Sequence, residues 1–268
     1  MLAHIFAGLF DQLKPLVCPD ISYSFYPVYA RLYGIKLQQI PLNEHFEINL
    51  NAYPIQNGGI IFANPNAPTS LALPLADIER LLQRNRESVV VVDEAYVDFG
   101  AQSCVSLVSR YPNLLVTQTV SKSRSLAGLR VGFAMGPAPL IEGLERIKNS
   151  FNSYPLDKVA QAGAAAAFKD VQSFESGCRE TIRIRERAKQ QLQALDFEVL
   201  DSAANFLFLR PLFMPAEALY LALKSAGVLV RYFNAPRISE YLRITIGTDA
   251  QMQTLMERIV KIKQSVIG

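Results

Sequence analysis

The run Val89-Val90-Val91-Val92-Asp93 limits the possible folds more than any other stretch of this chain. Four successive β-branched residues leave no polar face for water, so they read as a strand buried on both sides. Ile60-Ile61-Phe62-Ala63, closing at an Asn64-Pro65 turn, reads the same way, as do Leu114 to Thr117 and Val131 to Ala134. Helical patterns separate these strands, among them Pro74 to Arg86 with proline near its first turn. Apolar strands alternating with helices predict an α/β fold with a mainly parallel sheet sandwiched by helices. Functional side chains in such sheets gather at the carboxyl ends of the strands, where Asp93 stands.

The opening residues Leu2, Ile5, Phe6, Leu9, Phe10 and Leu13 recur at helical spacing and predict an amphipathic helix. Beyond Asn149 the texture changes. Residues from about 157 to 195 are helix-rich. Strands over Phe197–Leu200 and Asn205–Leu209, a helix, strands at Val228–Val230 and Tyr241–Thr245, and a final helix over Asp249–Ile262 follow. The expectation is a large domain over 1–150 and a smaller C-terminal α+β domain over 151–268.

Composition narrows the chemistry. Among 268 residues half are apolar and 19% are charged, which suits a packed chain and not a disordered one. A net charge of +3 is too small to argue for nucleic acid or an acidic membrane. His4 and His45 are the only histidines, which argues against a histidine-centred metal site or triad. Cys18, Cys104 and Cys178 lie far apart and read as reduced, buried thiols. The apolar start has no basic leader and no run is long enough to span a bilayer, so a soluble, cytoplasmic protein is expected.

Two clusters carry chemistry. In Asp93-Glu94-Ala95-Tyr96 a carboxylate at a strand end is followed three residues later by a phenol, which in isolation would also suit a structural corner. In Thr119-Val120-Ser121-Lys122-Ser123-Arg124-Ser125-Leu126-Ala127-Gly128-Leu129-Arg130 hydroxyls, a lysine and arginines surround a turn after a strand. Hydroxyls and guanidinium groups hold phosphate dianions, and a partly desolvated lysine among them is a plausible imine-former. The apolar Leu126–Leu129 segment suits a packed turn and not a solvated basic loop.

Here the residues carry a family resemblance. Ser121 to Gly132 resembles the cofactor-lysine motif of the fold-type I aminotransferases. Asn64-Pro65-Asn66-Ala67-Pro68-Thr69 is similar to their Asn-Pro-Thr turn, Asp93–Tyr96 to their pyridine-binding strand end, and Tyr241–Thr248 to their substrate-arginine strand. The four occur in the family's order from end to end of the chain. Asp-Glu-Ala-Tyr-Val-Asp-Phe and Leu-Arg-Ile-Thr-Ile-Gly-Thr look most like the histidinol-phosphate aminotransferase family.

The resemblance implies pyridoxal 5'-phosphate bound to Lys122, with that amine as catalytic base. It implies Asp93 on the pyridine nitrogen, Tyr96 on the ring's phenolic oxygen, and Tyr23, in preference to Tyr26, stacked on the ring. Thr119, Ser121 and Arg130 would face the cofactor phosphate. Arg243 and Arg231 would bind substrate anions. The implied reaction moves an amino group between histidinol phosphate and 2-oxoglutarate, giving glutamate, in a homodimer. An aromatic aminotransferase, a phospho-amino-acid decarboxylase or an inactive remnant are the alternatives.

Two departures stand out. Ala67 occupies the place of the family's usual asparagine, so Asn66 is carried forward as its substitute. The sequence also starts inside the first helix, so the family's N-terminal arm and phosphate-binding loop are expected to be missing from it.

Overall fold

The computed structural model describes residues 1–267. Its first part runs α1 (Leu2–Gly8), β1 (Leu16–Pro19), α2 (Phe25–Leu32), β2 (Leu37–Ile40), β3 (Gly59–Ala63), α3 (Leu75–Arg84), β4 (Val90–Asp93), β5 (Leu114–Thr119), β6 (Gly132–Met135) and α4 (Ala138–Phe151). The remainder runs α5 (Lys158–Lys169), α6 (Val171–Ala194), β7 (Phe197–Val199), β8 (Phe206–Pro211), α7 (Ala216–Ser225), β9 (Arg231–Tyr232), β10 (Leu242–Thr245) and α8 (Asp249–Ile267).

The apolar strands assemble as expected. A six-stranded sheet has the order β2-β1-β3-β4-β5-β6 and is parallel except for β6, which runs antiparallel to β5. Every residue of β3 and β4 is buried, so the two apolar runs form the sheet's centre. One layer of the core (Val17, Ile60, Phe62, Val90, Val92) packs against α3, and the other (Leu16, Ile61, Val91, Leu115) against α1, α2 and α4. Side chains alternate between these layers along each strand, which is why no residue of the valine run could be polar.

The second sheet, β7-β8-β10-β9, is antiparallel throughout and packs on α6, α7 and α8. α5 and α6 are separated at Asp170, whose carboxylate caps α6 by accepting from Ser173 N–H. No described helix is long and apolar enough to cross a membrane. All three cysteines are free and buried.

Three local expectations differ from the structure. The first helix ends at Gly8 and does not reach Leu13. Asp11 N–H bonds Gly58 O, and its carboxylate accepts from Leu13 N–H, which turns the chain away and leaves Leu13 exposed. Val228–Val230 forms no strand. Gly227 takes a left-handed conformation (φ 80°) after α7, Val228 N–H folds back onto Leu223 O, and pairing starts only at Arg231. The short strands β1 and β2 and the helix α2 carried too little periodicity to be read from the sequence; they form one edge of the sheet.

Candidate active site

The carboxyl ends of β4 and β5 and the start of β6 open into one cavity of about 300 Å3. Register explains the convergence. Asp93 pairs with Thr117 across the parallel β4–β5 ladder, and Thr119 pairs with Gly132 across the antiparallel β5–β6 ladder. The hairpin-like return from Thr119 to Gly132 therefore brings Lys122 and Arg130 back beside Asp93. Tyr23, Asp93, Tyr96, Thr119, Ser121, Lys122 and Arg130 all line this cavity. A larger groove of about 850 Å3 between α6 and α8 is an open cleft bordered by exposed Arg187, Asp249 and Val260.

The loop holding Lys122 is pinned on both sides. Ser123 Oγ donates to Asp98 Oδ2 (2.5 Å), and Arg124 donates to Ala167 O (2.6 Å) with its guanidinium 4.3 and 4.0 Å from the rings of Phe168 and Phe174. Leu126 and Leu129 pack on Ala160 and Ala164 of α5. A Cβ at Gly163 would lie 2.8 Å from Leu129 Cδ1, so glycine there admits the close approach. The turn is packed, as its apolar residues predict.

Lys122 itself is exposed on the cavity rim, with Nζ 5.3 Å from the centre of the Tyr96 ring. The partial desolvation expected for it is not present in this structure, because the cavity opens to solvent at this side chain.

Thr119 and Ser121 hydroxyls lie 2.8 Å apart, and Thr119 Oγ1 also accepts from Ser121 N–H. Arg130 takes a left-handed conformation (φ 55°) and gives one donor to Ala127 O, leaving the rest of its fork to the cavity. Two cations and a hydroxyl thus face one side of the cavity, and a carboxylate lies at the other.

That carboxylate is unusual. Burial pushes Asp93 up to about 6, opposed by hydrogen bonds from Tyr26 Oη, the Ala95 backbone and the Thr117 hydroxyl. The Tyr26 hydroxyl donates to Asp93 Oδ2 at 3.1 Å. Thr117 Oγ1, at the same strand level, is buried facing Asp93 and meets no other hydrogen-bond partner among the described residues. Neighbouring Glu94 is also raised by burial, but it faces the scaffold. It accepts from Cys104 N–H (2.5 Å), Ser103 Oγ (2.7 Å) and Gln118 Nε2 (2.8 Å).

Of the two tyrosines weighed for stacking, Tyr23 borders the cavity and Tyr26 lies fully buried behind Asp93, edge-on to Tyr23 at 5.5 Å. Asn66 is not brought into the cavity. Its amide donates to Ile21 O (2.9 Å) and Thr69 Oγ1 (3.0 Å) and accepts from Ser22 Oγ, so it ties the turn to the segment before α2, and Ala67 takes the cavity-facing place.

Arg243 and Arg231 are direct partners in the β10–β9 ladder. The Arg243 guanidinium lies 4.9 Å from the Phe206 ring, which meets Tyr96 edge-on at 5.0 Å, so two rings separate it from Lys122. Burial lowers the Arg243 pKa, and its Nε is buried without a hydrogen-bond partner among the described residues. Arg231 is exposed beside Phe233. An incompletely paired cation next to a second one suits an incoming anion.

Sequence reasoning weighed Tyr26 only as a stacking ring and gave no role to Thr117, Gln118 or Glu94. The spacing of Tyr23 and Tyr26, one helical turn apart, was the available signal for the first; Glu94 and Gln118 carry none beyond their proximity to motif residues.

Comparison with known proteins agrees with this geometry. Residues 1–259 match the family model for aminotransferase class I and II. Histidinol-phosphate aminotransferase of Pseudomonas putida is 60% identical over 97% of this chain and 74% of its own length. That of Acinetobacter baylyi is 56% identical over 97% of this chain and 72% of its own. The fold matches the histidinol-phosphate aminotransferase of Clostridium acetobutylicum with a TM-score of 0.90 at 20% identity, over 98% of this chain and 81% of that one. It also matches the enzyme of Sinorhizobium meliloti in complex with pyridoxal-5'-phosphate, with a TM-score of 0.87 at 21% identity over 98% and 74% of the two chains. With a packed lysine loop and a buried strand-end aspartate on one cavity, and relatives this similar along nearly its whole length, the chain belongs to the class I and II aminotransferases and, within them, to the histidinol-phosphate aminotransferase family.

Proposed function

We propose that the chain transfers an amino group between histidinol phosphate and 2-oxoglutarate in histidine biosynthesis, using pyridoxal 5'-phosphate. The observation that carries the reading is the convergence of Lys122, Asp93, Tyr96 and Arg130 on one cavity in a chain about 60% identical to enzymes of that name. The residues present fit the cofactor: a buried carboxylate for a ring nitrogen, a phenol wall, free cationic and hydroxyl donors for a phosphate, and an exposed primary amine.

Bound pyridoxal phosphate supplies an electron sink for the bond broken at the substrate Cα. Lys122 would hold the cofactor through its amine and, once the substrate has displaced it, would take the proton from that Cα and hand it to the cofactor's carbonyl carbon. Asp93, buried at the end of the valine strand, would pair with the ring nitrogen. Tyr96 would donate to the ring's phenolic oxygen, Tyr23 would cover the ring face, and Ser121, Thr119 and Arg130 would orient the phosphate. Asn66 supports the turn that shapes the ring site. Arg243 takes the carboxylate of glutamate, and together with Arg231 the phosphate of the other substrate. The same reading makes 1–150 the cofactor domain and 151–268 the smaller domain, and the protein a cytoplasmic homodimer.

The test is an absorbance spectrum after adding pyridoxal phosphate and dialysing, run beside Lys122→Ala. The expected result is a retained band near the visible edge that shifts on adding glutamate, is absent in the variant, and accompanies amino transfer from glutamate to imidazole acetol phosphate, the ketone that corresponds to histidinol phosphate. A band that survives in Lys122→Ala, or carbon dioxide release in place of amino transfer, would overturn the assignment.

A further inference from the structure

Tyr26 has no exposure to solvent and donates directly to Asp93, and nothing in the reading above gives it a task. It sits on α2 with its ring between Phe6 (6.3 Å) and Tyr23 (5.5 Å) and its hydroxyl 3.1 Å from Asp93 Oδ2. We propose that Tyr26 is the positioning residue for Asp93: its hydroxyl aims the carboxyl into the cavity and holds it in the ionised form that a protonated ring nitrogen needs. This rests on the reading of Asp93 as the partner of that nitrogen.

The physical argument has three parts. A carboxyl this deeply buried loses hydration, which favours its neutral form, and Glu94 on the same strand end adds a like charge. Hydrogen bonds to the charged form oppose that tendency, and the Tyr26 hydroxyl is the strongest of them, ahead of the Ala95 backbone and the Thr117 hydroxyl. Burial also pushes Tyr26 itself well above the usual phenol range, so it stays a donor at every working pH. The other groups able to act on Asp93 are Tyr23 ahead of α2, Tyr96 after β4, and Lys122 and Arg130 of the β5–β6 return. Cys18 of β1 also acts on Tyr26 and remains protonated, its thiol pushed up to about 12 by burial. Of these, Tyr26 is in direct contact and has no exposure to solvent. It would therefore set the charge of Asp93 while the cavity groups meet the ligand.

The experiment titrates Asp93 by carbon-13 NMR of aspartate-labelled, cofactor-free protein, with the signal assigned by Asp93→Asn. In Tyr26→Phe the ring packing is kept, and the Asp93 midpoint is expected to rise by about one pH unit. Replacing Tyr26 by 3-fluorotyrosine, a stronger donor of nearly the same shape, should lower it. Binding of pyridoxal phosphate, followed by absorbance across the same pH range, should weaken at higher pH in Tyr26→Phe than in the natural chain, by about two- to three-fold just below the new midpoint and approaching about ten-fold only below the natural chain's midpoint. An unchanged or lowered midpoint in a Tyr26→Phe protein with a native amide spectrum would overturn the proposal. Should Asp93→Asn bind the cofactor as well as the natural chain, the ring-nitrogen reading falls, while the NMR midpoints still decide what Tyr26 does.

Discussion

The two sheets present their functional side chains in opposite ways. The parallel sheet places them beyond its strands: Asp93 on the last residue of β4, Lys122 and Arg130 on the return between β5 and β6. The antiparallel sheet places them within its strands, Arg243 and Arg231 facing across one register pair. A strand-end group is held by loop contacts, so it can be buried, satisfied and aimed separately from the core. A mid-strand arginine takes its direction from the pleat, and what it lacks in partners it must find in a ligand. The parallel sheet buries its two strand-end carboxylates, Asp93 and Glu94, with hydrogen-bond donors, whereas Arg243 carries a buried Nε with no partner among the described residues.

The largest effect that would sharpen this contrast is at Arg243. Replacing it by leucine removes a bidentate, charge-assisted contact to a carboxylate, on the order of 3–4 kcal/mol, or 10²- to 10³-fold in kcat/KM for glutamate. Because its Nε is unpaired, stability to urea should change by less than about 1 kcal/mol, and the cofactor band should persist. Steady-state kinetics beside an unfolding curve checks both. A large loss of stability with unchanged kcat/KM would mean that the arginine is scaffold, and the contrast between the sheets would be gone.

Arg185 tests the opposite case, an arginine wholly committed to structure. It lies on α6, 5% exposed, and one guanidinium nitrogen donates to Phe99 O (2.7 Å) beyond β4 and to Ala204 O (2.8 Å) before β8. It therefore ties the loop behind the active site to the second sheet. Arg185→Met leaves two buried carbonyls without that donor and should cost about 3 kcal/mol, measured by urea unfolding. Lysine should recover less than half, because a single ammonium cannot reproduce the planar fork that also reaches Glu186. A cost below about 1 kcal/mol would show that the two sheets are joined chiefly by apolar packing.

The same division explains what could be read from the sequence. Asp93, Lys122 and Arg130 were legible because strand-end groups come as compact motifs next to unbroken apolar runs. The valine strand announced the sheet for the same reason. Tyr26 was not legible: its task depends on α2 lying against β4, a contact between residues 67 positions apart that no local pattern encodes. Asn66 misled in the other direction. It has the right residue type one place early, but the turn's geometry points its amide at Ile21 and Thr69, and Ala67 faces the cavity. Val228–Val230 had strand composition, yet Gly227 and the Val228–Leu223 hydrogen bond delayed the strand until Arg231.

The smallest effect is expected at the surface junction of the two sheets. Arg237 donates to Asp20 Oδ2 (2.9 Å), Leu42 O (2.8 Å) and Asn43 O (2.9 Å), so it fastens the segment before β10 to the loops after β1 and β2. Its side chain is 38% exposed, and solvent screens the ion pair. Beneath it Phe46, Phe208 and Tyr241 form a packed aromatic cluster, with Phe208 and Tyr241 stacked at 4.7 Å, and this does not depend on the charge. Arg237→Ala should therefore cost about 1 kcal/mol or less in urea unfolding, with amide exchange quickened only around residues 42–46. A cost equal to that at Arg185 would mean that polar ties, exposed or buried, hold the sheets together equally. A small, local one leaves burial as what separates a clamp from a fastening.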